Sequence, residues 1–195
     1  MRKSISEEVA LIIESILELG GNLFEFIMKV LEISGVKYYP PRSKLNFMTF
    51  GEFIYIDMLY MAYQNTKNID LLDKFCAVIY RIKRKDFDEK SKDDPRTELN
   101  EGMIDHYASI FKGVEGIVKT LILINWTLIR KWIETEYPEI FPKSKEGKPA
   151  DANDGWLKIR DAMAENVVQL EQIDKCLLHD VLRKLNSQII ESKKQ

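Results

Sequence analysis

The side chains with the widest chemical repertoire in this sequence are Cys76, Cys176, His106 and His179, its only cysteines and histidines. A thiol or hydroxyl becomes a working nucleophile when a base lies within hydrogen-bond reach and a third group orients that base. Cys76 or Ser109 could meet His106 in a fold, but no motif surrounds either pair. Asp105 directly precedes His106, and adjacent helical residues point in different directions. Cys176 and His179 share a helical face, yet zinc takes four ligands and no second pair is present. The sequence lacks H-E-x-x-H and the paired E-x-x-H elements of di-iron bundles. Gly113-Val114-Glu115-Gly116 lacks the lysine and the preceding strand of a phosphate-binding loop. These patterns predict no catalytic residues, no metal and no cofactor, and two reduced, buried thiols inside apolar helical patterns.

Positive charge concentrates at Arg81, Lys83, Arg84 and Lys85. Such a run could contact nucleic-acid phosphates, and it is equally favoured by a helix C-terminus. Asp86, Asp88, Glu89, Asp93 and Asp94 follow before Pro95 and blunt the attraction. The interval reads as a solvated loop. Nucleic-acid binding through Arg81–Lys85 is kept as a subordinate alternative.

The elements that must position these residues are helical. Ser4 and Glu7 have capping-box spacing, followed by one apolar face from Val9 to Leu19. Gly20-Gly21 stops that helix, because glycine is costly in a helix interior. Asn22 caps a second helix running through Ile33 and ending at Gly35. Tyr38-Tyr39-Pro40-Pro41 is extended by proline geometry, and Val36–Tyr39 is the sole strand-like scrap. Thr49 and Glu52 form another capping box, opening a helix to about Asn65. Asn68 or Asp70 caps the next, Leu71 to Arg81. Periodicity resumes from Leu99 to Phe111. Ile117 to Glu134 is the most apolar helix, but Lys119, Arg130 and Lys131 interrupt it, so it reads as core and not as a membrane span. From Trp156 to Ile189 apolar residues recur every three or four positions, as one helix or as two or three broken near Asn166 and Asp174.

The fold class expected is all-α, a compact core of five to six helices with a C-terminal helical segment. Residues 1–136 form the core domain, with a helical pair in 1–35 and the main bundle in 49–134. Residues 137–155, rich in proline and glycine, form a linker before 156–195. The chain of 195 residues is 45% hydrophobic and 31% charged, with a net charge of -2. This suits a folded protein and gives no bulk attraction to nucleic acid or anionic membranes. The acidic start after Met1-Arg2-Lys3 argues against a signal peptide. A cytoplasmic location follows as the expectation.

Without a catalytic signature, surfaces for partners become the main functional expectation. The helix after Thr49 carries Phe50, Phe53, Tyr55, Tyr60 and Tyr63 on more than one face. Such a helix is either deeply buried or offers a second contact surface. Phe50, Phe53, Tyr60, Tyr63 and Trp156 are the candidate partner-binding residues, with self-association as a further use of these faces.

Two segments resemble a known family. Thr49-Phe50-Gly51-Glu52-Phe53-Ile54, followed by a helix ending Val78-Ile79-Tyr80-Arg81, is similar to proteins encoded among the tail genes of bacteriophages and prophages of Bacteroidetes-type hosts. Gly155-Trp156-x-x-Ile159 with Met163-Ala164, then Leu182-x-x-Leu185, resembles the C-terminal part of phage tail assembly chaperones. Cys76-Ala77 stands where the family pattern has Leu-Ala, and residues 1–46 are outside the likeness. The resemblance implies a non-enzymatic chaperone in the bacterial host cytoplasm that binds the tape-measure protein, the tail tube subunit or both. Met48, Met58, Met61 and Met103 would suit an adaptable client surface. The alternative is a structural component of a phage-like injection particle, associated with the virion.

Overall fold

The computed structural model describes residues 30–141 and 152–194. The Ser4–Glu7 box, the Val9–Leu19 helix, the Gly20-Gly21 break and the start of the Asn22-capped helix lie outside the described residues. So do 142–151 of the expected linker. Among the described residues the chain is predominantly helical, with seven α-helices and one small three-stranded sheet.

The sheet corrects the expectation of a helix through Ile33. Leu31–Ile33 is strand β1, paired antiparallel with β2, Val36–Tyr39. Ser34 and Gly35 between them have φ of 51° and 79°. Positive φ at both central residues of a two-residue turn matches the twist of a hairpin, and a helix cannot pass through it. The third strand β3, Arg81–Ile82, pairs Tyr39 with Arg81 and Tyr38 with Ile82.

Helix α1, Phe50–Thr66, is the centre of the molecule. Thr49 Oγ1 accepts the Glu52 amide at 3.2 Å, so half of the expected capping box forms. The Glu52 carboxylate turns into the protein instead. Phe50, Phe53, Ile54, Ile56 and Leu59 are buried on several sides of the helix, as expected of one apolar all round. Lys67, at a φ of 55°, ends it, and Asn68 caps α2, Ile69–Ile79, by accepting the Asp70 amide at 3.0 Å. Helix α3, Ile104–Phe111, packs on α2, and Phe111 meets Tyr38 of β2 edge-on. Helix α4, Gly116–Glu136, lays Ile122, Trp126, Ile129 and Ile133 into the core.

The C-terminal segment comprises α5 (Ala152–Met163), α6 (Val167–Lys175) and α7 (Leu178–Ser192), and all three pack on α1. The breaks fall close to the expected places. Asn166 caps α6 by accepting the Gln169 amide at 3.1 Å, and Cys176-Leu177 is extended. That extended pair is clasped to the start of α1. Thr49 bridges Leu177, the Phe50 amide donates to the Cys176 carbonyl at 2.8 Å, and the Leu178 amide donates to the Met48 carbonyl at 2.9 Å.

Packing within the core is dominated by a relay of rings. Phe141 contacts Trp156, which contacts Phe53, which contacts Trp126, which contacts Phe75, with centroids 5.2–6.2 Å apart. The relay joins α5, α1, α4 and α2. Aromatic contacts in this range contribute about 0.5–1.5 kcal/mol each beyond burial.

Ionic ties cross the same core. Lys119 of α4 and Asp73 of α2 are both buried, 2.6 Å apart. Arg130 of α4 approaches buried Asp57 of α1 to 2.7 Å, although its N–H is not aligned on the oxygen. Trp156 Nε1 donates to the other Asp57 oxygen at 3.0 Å. Two of the three cations that interrupt the apolar pattern of α4, Lys119 and Arg130, are thus spent on acids inside neighbouring helices, and Lys131 is exposed.

Candidate binding cleft

A cleft of about 820 Å³ opens where the first turn of α1, strand β3, the 84–101 loop and helices α5 and α6 converge. Its formation depends on glycine. A Cβ at Gly51 would stand 2.8 Å from Asp174 Cβ and 3.1 Å from the Asp174 carbonyl oxygen. Absence of a side chain there lets α6 approach α1 and bring Asp174, Glu171 and Lys175 to the far wall.

The near wall is a buried network of charges. The 83–97 loop returns alongside β3, with the Arg84 amide donating to the Pro95 carbonyl and the Thr97 amide donating to the Ile82 carbonyl, each at 2.9 Å. This return places Arg96 beside Arg81. One Glu52 oxygen, Oε1, lies 2.7 Å from Nη2 of both arginines. Arg96 is otherwise held by Asp94, which takes its Nε and Nη2, and by the Ile79 carbonyl, which accepts from Nη1 at 2.9 Å. Burial works against its charge, but Glu52 and Asp94 overcome that and raise its pKa. Arg81 is treated differently. It is 7% exposed, and its Nε and Nη1 find no acceptor among the described residues. Burial, with the nearby Arg96, lowers its pKa despite Glu52.

Apolar side chains share the cleft. Ile54, Tyr55, Leu99 and Leu157 line it, and Met58 is 36% exposed at its edge. A smaller cavity of about 210 Å³ lies on the other side of Arg81, Thr97 and Leu99, with exposed Met103 at its wall. Mixed walls of this kind, with a few fixed polar groups, suit binding of a small molecule or of a few partner side chains.

The residues first considered for chemistry stay apart. Cys76 is fully buried, and burial pushes its thiol pKa up. His106 is exposed with its ring against Tyr107, and the Ser109 hydroxyl donates to the His106 carbonyl and not to its ring. Cys176, expected to be buried, is instead exposed, because it follows the last turn of α6 in extended backbone, and it donates to the Gln172 carbonyl. His179 is a clasp: its Nε2 donates to the Lys44 carbonyl at 2.6 Å and its Nδ1 accepts from Tyr137 at 2.8 Å. Lys44 has a φ of 57°, in the left-handed region. Among the described residues, no three of His, Cys, Asp and Glu gather as a metal site, and no helix is long and apolar enough to cross a membrane.

Of the five residues expected to meet a partner, four are buried in the chain's own core and so require correction as a surface. Phe50 and Phe53 are fully buried, and Tyr60 and Trp156 are each 7% exposed. Their faces are occupied by the chain's own helices, because α5 and α4 supply Trp156 and Trp126 against α1. Tyr63 is half-buried, with Lys67 Nζ 5.5 Å over its ring. The basic run is likewise used internally. Arg81 pairs with Glu52, Lys83 with Glu89, and Arg84 with Asp93 at 3.7 Å. Arg81, expected in a solvated loop, is core. Sequence reasoning missed Glu52, Asp94 and Arg96 as one constellation. Their signal was faint, consisting of an acid at a helix start and an Asp-Pro-Arg after a charged loop.

Compared with known protein families, curated proteins and solved structures, the chain matches none of them.

Proposed function

We propose that this chain is a non-enzymatic binding protein of phage tail assembly, a chaperone that takes a segment of the tape-measure protein or tail tube subunit in the cleft beside α1. The observation that carries this reading is the cleft's composition: an exposed methionine and apolar side chains set around a buried arginine that still has hydrogen bonds to give. Methionine adapts to varied apolar shapes, and a fixed polar group supplies register. The resemblance of 49–81 and 155–192 to tail assembly chaperones supplies the class of partner. The buried aromatics build the cleft and do not meet the client.

Co-expression with the tape-measure protein tests the reading. The complex should co-purify, and Met58→Asp should weaken it without altering the helical circular dichroism. A tape-measure protein equally soluble and unbound with and without this chain would end the chaperone reading. Stoichiometric presence in purified particles would instead favour a structural component.

A further inference from the structure

Resting on the cleft as the partner's site, we infer that Arg81 is an anchor for a carboxylate, supplied by an acidic side chain on the bound segment. Three N–H groups, one on Nε and two on Nη1, are buried with no acceptor among the described residues, and Arg81 is one of the residues lining the cleft. Leaving such donors unpaired is costly, and a charged acceptor gives the stronger bond. The rest of the network cannot supply one. Asp94 and the Ile79 carbonyl are committed to Arg96, and Glu52 Oε1 is already shared between the two guanidiniums. Arg84 on the same wall repeats the pattern, with a buried Nε lacking an acceptor and a loose ion pair to Asp93.

The surroundings select the kind of anion. Glu98, Glu101, Glu171 and Asp174 also line the cleft, and Arg160 and Lys175 are paired with Asp174 and Glu171. That field opposes a phosphate dianion more than a single carboxylate. Tyr55, Met58 and Leu157 offer apolar contact for residues flanking the acid. The occupant is therefore an amphipathic segment with one acid among apolar side chains.

The test uses the full chain and three probes: N-acetyl-Leu-Glu-Leu-amide, its glutamine counterpart, and inorganic phosphate. The assigned Nε–H resonance of Arg81 is followed by ¹⁵N NMR. The glutamate peptide should shift it saturably, at roughly tenfold lower concentration than the glutamine peptide, as expected when a charged acceptor replaces a neutral one. In Arg81→Lys, which keeps the charge beside Glu52, the preference is read from the backbone amides of Ile54, Tyr55 and Met58 at the cleft and should fall to near unity. The wild-type comparison stands even where the variant folds poorly. Equal shifts by the two peptides, no shift at Arg81, or saturation by phosphate at lower concentration than the glutamate peptide would each overturn the assignment. Failure here separates from failure of the chaperone reading. Tail-protein binding lost in Met58→Asp but intact in Arg81→Lys removes the anchor and leaves the cleft. A shift at Arg81 by the glutamate peptide, with no tail protein bound, leaves the anchor and removes the client.

Discussion

Trp156 donates its indole N–H to the Asp57 carboxylate at 3.0 Å, across 99 residues of sequence. The bond fastens α5 to α1 at the centre of the ring relay, so the C-terminal helices are tied to the core by polar and apolar means at one residue.

Trp156→Phe and Trp156→Ala should divide these two contributions. Removing the donor alone leaves a buried acceptor and should cost about 1–3 kcal/mol. Truncation to alanine also empties the ring's volume and should cost about 3–5 kcal/mol. Urea unfolding of both variants checks the order, and a Trp156→Phe midpoint equal to that of the wild type would show that the hydrogen bond contributes nothing.

Asp57 should make stability depend on pH. Burial, the largest influence, raises its pKa above the ordinary 3.8, and Arg130 and Trp156 pull it back only in part. The folded protein therefore holds this proton more tightly than the unfolded chain. The linked stability is full below the ordinary value and is lost as pH rises through the folded one. Asp57→Asn cannot ionise, so as pH rises from about 4 toward neutrality it should lose less stability than the wild type. Parallel urea midpoints across that range would refute the shift.

Lys119 and Asp73 should be expendable together but not singly. Lys119→Met strands a buried carboxylate and should cost about 3–5 kcal/mol. Adding Asp73→Leu should recover most of that, because desolvating the pair offsets much of its attraction. A double variant as unstable as the single would mean that the pair itself carries the energy.

Gly51→Ala tests the approach of α6 to α1. Alanine favours a helix interior by about 1 kcal/mol, but its Cβ would press on Asp174 with only 2.8 Å between them. Overpacking of this kind costs about 1–3 kcal/mol, so net destabilisation is expected. Amide exchange should accelerate in 167–175 before it does so in 69–79.

The helices were legible because their signals are local. Thr49, Asn68 and Asn166 each cap a helix as their types and spacing suggest. The β1–β2 hairpin was missed because Leu31–Ile33 extends an apolar pattern that suits a helix as well as a strand. Ser34-Gly35, the turn that decides between them, reads as a helix stop. The aromatic character of the helix after Thr49 is plain in the sequence, but periodicity cannot say whether a ring faces a partner or another part of the same chain. Glu52 was assigned by its spacing from Thr49 to a local backbone bond. Its actual partners, Arg81 and Arg96, come from β3 and the returning loop. Pairings of that range leave no periodic trace.

The clasp between Met48–Phe50 and Cys176–Leu178 also sets a schedule for synthesis. The first turn of α1 leaves the ribosome more than a hundred residues before the extended Cys176-Leu177 pair that receives its amide. At translation speeds of about 5–20 residues per second, that interval is on the order of ten seconds. Until Trp156 has emerged, Phe50 and Phe53 lack its ring, and until Leu178 has emerged, the Phe50 amide and the Met48 carbonyl lack their final partners. The nascent chain thus carries an aromatic helix short of its cover throughout most of its production, and a chain halted before Leu178 would be a substrate for proteases and chaperones.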